Sequence, residues 1–202
     1  MNKWQIPAMK KVWKPGDPVP NIHDDVPGLL KADGFCADAV SALLDFDTAN
    51  FQHYRMVVKG EVVSAVIDAF DMDLELTEFH TLTAILRIRA GVGRPAGEAT
   101  IGLVAEELAV DPSRASRLVS DLVAKGLIRR EAAQDDGRKS VLTPTDEGMR
   151  ILKIFKQEKW NLLARVFKDW KAEDIAAYAR SVRAYSEGMQ AAIAELRAKR
   201  TK

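Results

Sequence analysis

From Ala32 to Val66 the apolar residues recur mainly at helical spacing, and Val40, Leu43, Leu44, Phe51, Tyr54, Val57, Val58 and Val62 mark one long helix or two in tandem, with a break near Asp45-Phe46-Asp47. Thr77 is the expected N-cap of the next helix, whose buried stripe is Phe79, Leu82, Ile85 and Leu86. Gly91, Gly93, Pro95 and Gly97 then form a loop. Thr100 caps a short helix with Leu103, Val104 and Leu108 inward. Asp111 caps another, with Pro112 at the first helical position, where its missing N–H costs nothing. In that helix Ala115, Leu118, Val119 and Leu122 share the buried face, which turns Ser113, Arg114, Arg117, Ser120 and Asp121 outward.

Gly126 stops this helix, and the runs Leu127–Ala132 and Lys139–Leu142 predict two short strands around an Asp/Gly turn. A further helix starts after Thr145, and a last one covers about 172–197. Ile175, Tyr178, Val182, Tyr185, Met189, Ile193 and Leu196 lie three or four residues apart along it, a stripe that must fold back on the core or meet another subunit. The expected partners of this stripe include apolar residues of the N-terminal helix such as Val40 and Leu44.

The predicted fold is mainly α with a small β-hairpin wing: a winged helix-turn-helix core flanked by N- and C-terminal dimerisation helices. Residues 1–31 read as an extended arm, since prolines at 7, 15, 18, 20 and 27 and glycines at 16 and 28 interrupt it. Residues 32–72 are the N-terminal helical dimerisation region, 73–145 the winged helix-turn-helix, and 146–202 the helices completing the dimerisation region.

Composition narrows the function classes. A chain of 202 residues with 47% hydrophobic and 29% charged residues has enough apolar material for one good core plus a helical dimer surface, and general disorder is excluded. Net charge is only +1, but residues 45–109 hold five Lys/Arg against eleven Asp/Glu, whereas residues 110–202 hold twenty against thirteen. The basic excess therefore falls on the capped second helix and on the C-terminal part of the chain. The start of the chain lacks the continuous apolar core of a signal peptide, and no stretch reaches the roughly 18 apolar residues of a membrane span, so the cytoplasm is the expected compartment. Three histidines at 23, 53 and 80, with no HExxH, no Gly-rich phosphate loop and no G-x-S-x-G, leave little for catalysis. No enzyme activity, metal or cofactor is expected.

The candidate chemistry is nucleic-acid recognition. Arg114 and Arg117 lie three apart and can reach guanine O6/N7, with Ser113 and Ser116 close enough to contact bases or phosphate. Arg138 and Lys139 place charge at the hairpin tip, where a loop enters the minor groove. Each arginine alone reads equally well as a solubilising surface residue; their joint placement on a capped helix and the following hairpin favours double-stranded DNA. The competing reading is a winged helix that binds protein, which would call for apolar outward positions in place of Ser, Arg and Asp.

Residues 45–170 resemble the MarR family of bacterial transcriptional regulators. The resemblance is carried by Asp111-Pro112-Ser113-Arg114-Ala115-Ser116-Arg117-Leu118-Val119-Ser120-Asp121-Leu122-Val123-Ala124-Lys125-Gly126-Leu127-Ile128-Arg129-Arg130 and by Asp135-Asp136-Gly137-Arg138-Lys139. It implies that the first segment is a recognition helix and the second a wing tip, with Asp135 or Asp136 orienting Arg138. Pro144-Thr145-Asp146-Glu147-Gly148 departs from the family by placing proline at a leucine position. The resemblance further implies a homodimer on a pseudopalindromic operator, repression as the preferred output, and a small anionic or phenolic effector. His53, Tyr54, His80 and Arg87 are the candidate effector-binding residues, against the plainer reading of ordinary surface or structural positions. Some members sense peroxide through an N-terminal cysteine, but Gly34-Phe35-Cys36-Ala37-Asp38 has no basic neighbour to favour a thiolate, and Cys36 reads as structural.

Overall fold

The computed structural model describes residues 23–132 and 140–200, which divide into two compact units, one ending at Glu61 and one starting at Val62. The first unit holds α1 (Val26–Ala32) and α2 (Ala37–Val58). The end of the proline-rich arm is thus helical: Pro27 sits in the first turn of α1, where its fixed φ suits a helix start. The helix expected to break near Asp45-Phe46-Asp47 continues through it, because nothing in that tripeptide removes a backbone donor or demands positive φ. The break falls at Lys59-Gly60, where Gly60 takes φ +65° and its N–H bonds the Val57 carbonyl. Val40, expected on the dimer surface, is already buried, whereas Phe46, Phe51, Tyr54, Val57 and Val58 are exposed. Cys36 is exposed at the N-cap position of α2.

The second unit contains α3 (Glu61–Ala69, save its first residue), α4 (Leu76–Ala90), α5 (Ile101–Leu108), α6 (Pro112–Ala124), β1 (Ile128–Ala132), β2 (Ser140–Pro144), α7 (Asp146–Phe167) and α8 (Ala172–Arg200). It is mainly helical with one small hairpin, the winged helix-turn-helix arrangement with flanking helices. Its core is built on α4, where Leu82, Ala84, Ile85 and Ile88 are fully buried together with Val104 of α5 and Ala115, Val119 and Leu122 of α6. Thr81 is buried among them because its hydroxyl donates back to the Thr77 carbonyl at 2.8 Å.

Capping decides where these helices begin. Thr100, Asp111 and Thr145 accept the backbone N–H of Leu103, Arg114 and Gly148, as expected of them. Thr77 does not cap α4; Glu75 does, in a reciprocal box in which the Glu75 N–H donates to the Glu78 carboxylate at 2.8 Å. The strands are antiparallel, with Ile128 opposite Pro144 and Ala132 opposite Ser140. A proline at the strand's last residue costs no inner ladder bond. The hairpin is tied to the body by the Leu142 N–H, which donates to the Ala99 carbonyl at 2.8 Å.

α7 meets the end of α6 at very close range. Gly148 is buried with no room for a side chain, since a Cβ there would run into the Leu127 carbonyl oxygen. Farther along, Phe155 stacks on Phe79 with ring centroids 4.0 Å apart. Among the described side chains of α8 none is buried: Ile175, Tyr178, Val182, Tyr185, Met189, Ile193 and Leu196 remain 37–64% exposed. Among the described residues no helix is long and apolar enough to cross a membrane.

Two substitutions with opposite signs test this frame. Ala109 ends α5 in the left-handed region at φ +52°, so Ala109→Gly should raise stability by about 0.5–1 kcal/mol in chemical denaturation, as relief of the Cβ clash outweighs glycine's added chain entropy. Gly148→Ala should lower it by about 2–3 kcal/mol despite alanine's better helix propensity, because α7 must move off Leu127.

Candidate nucleic-acid interface

α5, the turn at Ala109 and α6 form the helix-turn-helix, and α6 is the helix whose surface chemistry differs from the rest. At 3.6 residues per turn, Ala115, Val119 and Leu122 fall on one side and are completely buried. The opposite side carries Ser113, Arg117 and Ser120 in one exposed row, with Arg114 and Asp121 exposed along one flank. Ser116 is half-buried on the other flank, and its carbonyl accepts the Ser120 hydroxyl at 2.9 Å. The structure therefore brings Ser113, Arg114 and Arg117 to one surface and places Ser116 at its edge.

Neither Arg114 nor Arg117 has a side-chain ion pair among the described residues, whereas Lys125 and Arg129, at the end of α6 and the wing root, are paired. Lys125 donates to Glu78 at 2.8 Å and to Asp73 Oδ1 at 3.3 Å, and the bond to Glu78 is the main reason its ammonium is held above the usual lysine range. That contact also answers Glu78, a buried carboxylate at 5% exposure, and ties the C-terminal end of α6 to the first turn of α4. At the wing root, Arg129 Nε donates to Glu131 at 2.6 Å, and Thr143 donates to the same carboxylate at 2.8 Å while accepting from Arg89 of α4 at 3.3 Å. The bond from Arg129, then that from Thr143, holds the Glu131 carboxyl below its ordinary value.

Sequence reasoning missed Lys125, Glu78, Arg89, Glu131 and Thr143. Their roles depend on which elements pack together, and only the short strand spacing of Arg129 and Glu131 hinted at a shared face. The hairpin-tip candidates Asp135, Asp136, Arg138 and Lys139 lie outside the described residues.

The effector-site candidates are spread over both units. His53 and Tyr54 are exposed on α2 in the first, and His80 and Arg87 are on α4 in the second. Arg87 is engaged with Glu107 at 2.9 Å. His80 is half-buried, and burial, followed by the positive charge of Arg87, holds its imidazole below the ordinary histidine value. The described cavities of the second unit are lined by other residues. One, a trough of about 610 Å³ between α4 and α7, has Leu86, Met149 and Leu152 as its apolar part and Arg150, Lys153 and Lys156 as its basic part.

This is the geometry of a winged helix-turn-helix whose second helix carries two exposed arginines with no ion pair among the described residues. Residues 72–139 match the sequence model of the MarR family, a stretch that runs from just before α4 to the residue before β2. Over 78 residues it is 33% identical to the uncharacterized HTH-type transcriptional regulator YxaD of Bacillus subtilis (strain 168), a match covering 39% of this chain and 54% of that protein; the chain thus spans about half the length of this curated relative. The fold is that of a MarR family protein from Bacillus stearothermophilus (TM-score 0.56, 16% identity, 72% of this chain and 97% of that one). It is equally that of Streptococcus pneumoniae FabT, solved in complex with DNA (TM-score 0.55, 18% identity, 72% and 97%).

The lowered His80 value gives a pH signature. Between the ordinary histidine pKa of about 6.5 and the lower folded value, the unfolded chain binds a proton that the folded chain refuses. Stability should be full above that ordinary value and fall as pH drops through the folded pKa. In denaturant titrations at about pH 7.5 and about pH 5.5, His80→Gln should lose less stability than wild type on acidification.

Proposed function

We propose that this protein is a sequence-specific DNA-binding transcriptional regulator that acts as a homodimer on a pseudopalindromic operator, with α6 in the major groove and the 133–139 hairpin tip, carrying Arg138 and Lys139, at the minor groove. The observation that carries the reading is the outward face of α6. Arg114 and Arg117 stand exposed without carboxylate partners among the described residues, beside Ser113, in a unit that neutralises Lys125, Arg129 and Arg150 with neighbouring acids. Bidentate donors on a helix narrow enough to enter the groove suit guanine edges. A protein-docking use of α6 would require apolar outward residues, and the face is made of Ser113, Arg114, Arg117, Ser120 and Asp121.

The homodimer is supported by the apolar stripe of α8, whose seven residues stay 37–64% exposed, and by the exposed aromatic and aliphatic residues of α2. Two identical chains related by a two-fold axis read two half-sites one or more helical turns apart, so the operator is pseudopalindromic. Occupying such a site at a promoter represses it. Effector control is part of the proposal: the trough between α4 and α7 has the apolar floor and basic edge that suit a small amphipathic anion. An effector that binds better to the DNA-free dimer lowers DNA affinity by the same free energy that DNA subtracts from its own binding.

Selection from random duplexes followed by competition with altered bases tests the reading. Arg114→Ala and Arg117→Ala should each cost about 1–3 kcal/mol at the selected site and flatten the preference at a base pair. Wild-type affinity and preference in both variants would remove α6 from the interface.

A further inference from the structure

β1 carries two adjacent arginines, and a strand's two-residue period sends them to opposite faces. Arg129 shares its face with Glu131, which it contacts at 2.6 Å, so its charge is answered inside the hairpin. Arg130 shares the other face with Ile128, whose side chain is buried in the core. On that side the Arg130 Nη2 donates to the Ser120 hydroxyl of α6 at 3.0 Å, and the same hydroxyl donates to the Ser116 carbonyl at 2.9 Å. Arg130 is exposed and has no carboxylate partner among the described residues.

Ser120 belongs to the exposed row of α6 that also holds Ser113 and Arg117. On a helical projection Arg117 lies near the centre of the outward face, Arg114 on one flank, and Ser116 and Ser120 toward the other. Arg130 is therefore held on the flank opposite Arg114. A guanidinium has five N–H donors, and a bond to a neutral hydroxyl fixes it without cancelling its charge. The position also selects what it can meet. An α-helix with its side chains is about 10–12 Å across and the major groove about 12 Å wide, so a group beside the helix faces the groove wall of sugar and phosphate, away from the base edges on its floor.

We propose that Arg130 is a phosphate-contacting residue of the DNA interface, anchored to α6 by Ser120 and supplying affinity that is independent of sequence. This rests on the DNA-binding reading above. Arg114 and Arg117 would then set which site is chosen, while Arg130 sets how strongly any duplex is held.

The test measures the affinity of the full-length chain for its selected duplex and for an unrelated duplex of equal length over a range of salt concentrations. Arg130→Gln should weaken both by a similar factor, about 3–10-fold, and reduce the slope of log K against log salt by about 1.8, or about 0.9 for each of the dimer's two copies of Arg130. Arg130→Lys should keep the slope, and Ser120→Ala should keep the slope with a smaller loss of affinity. Denaturation midpoints close to wild type are expected for all three, since both residues are exposed. Unchanged affinity and slope in Arg130→Gln, with wild type binding normally, would return Arg130 to a stabilising role only. A loss confined to the selected duplex would make it a base reader and overturn the proposal. Failure of wild type to bind either duplex would instead overturn the DNA-binding reading itself, and this inference with it.

Discussion

The contact on which the rest of the second unit depends is the close approach of Gly148 to the carbonyl of Leu127. At this point the end of α6, both strand roots and the start of α7 are locked together. The Leu127 N–H donates to the Leu122 carbonyl and closes α6, while the Leu127 carbonyl accepts the Thr145 N–H at 3.0 Å. Thr145 then acts twice, donating its hydroxyl to the Gly126 carbonyl at 2.6 Å and accepting the Gly148 N–H. Any side chain at position 148 would push α7 away and loosen all of these bonds at once. Because the buried side of α6 is fixed on the core by Ala115, Val119 and Leu122, the direction of its outward row is fixed as well.

Charge follows the same division. Carboxylates are placed where two elements must be held: Glu78 binds Lys125 and so joins α6 to α4, Glu107 binds Arg87 and joins α5 to α4, and Glu131 gathers Arg129 and Thr143 at the wing root. The Arg87–Glu107 and Arg129–Glu131 pairs are partly exposed, so each contributes modestly to stability, and their value lies more in fixing the angle between neighbours. On the outward face of α6, Arg114 and Arg117 share the surface with Ser113, Ser120 and Asp121, and neither arginine forms an ion pair among the described residues. In the proposed complex a DNA phosphate backbone supplies the missing charge.

Much of this was legible in the sequence where a local rule decided the outcome. Asp111-Pro112, Thr100 and Thr145 announce helix starts because a side-chain oxygen in reach of a backbone N–H is a matter of three residues. The burial of Ala115, Val119 and Leu122 follows from helical period, and so does the outward placement of Arg114 and Arg117. Legibility ended where the deciding partner lies far along the chain or where two local signals compete. Thr77 is an ordinary cap residue, but Glu75 and Glu78 satisfy each other's backbone N–H and win the start of α4. Asp45-Phe46-Asp47 resembled a break only by composition, whereas Gly60 supplies the positive φ that a break needs. Val40 has the right spacing for an exposed stripe yet is covered in the single chain, which no periodicity reveals. Arg130 could be separated from Arg129 by strand alternation, but its serine partner required the packing of β1 on α6.

In the proposed complex α6 enters the major groove in two symmetric copies. Methylation interference on the selected duplex reads this directly, because methylation at guanine N7 blocks the major groove and methylation at adenine N3 the minor. Two clusters of interfering guanine N7 positions related by two-fold symmetry are expected, with centres separated by about 34 Å or a multiple of it. Interference restricted to adenine N3, or a single cluster without a symmetric mate, would contradict this arrangement.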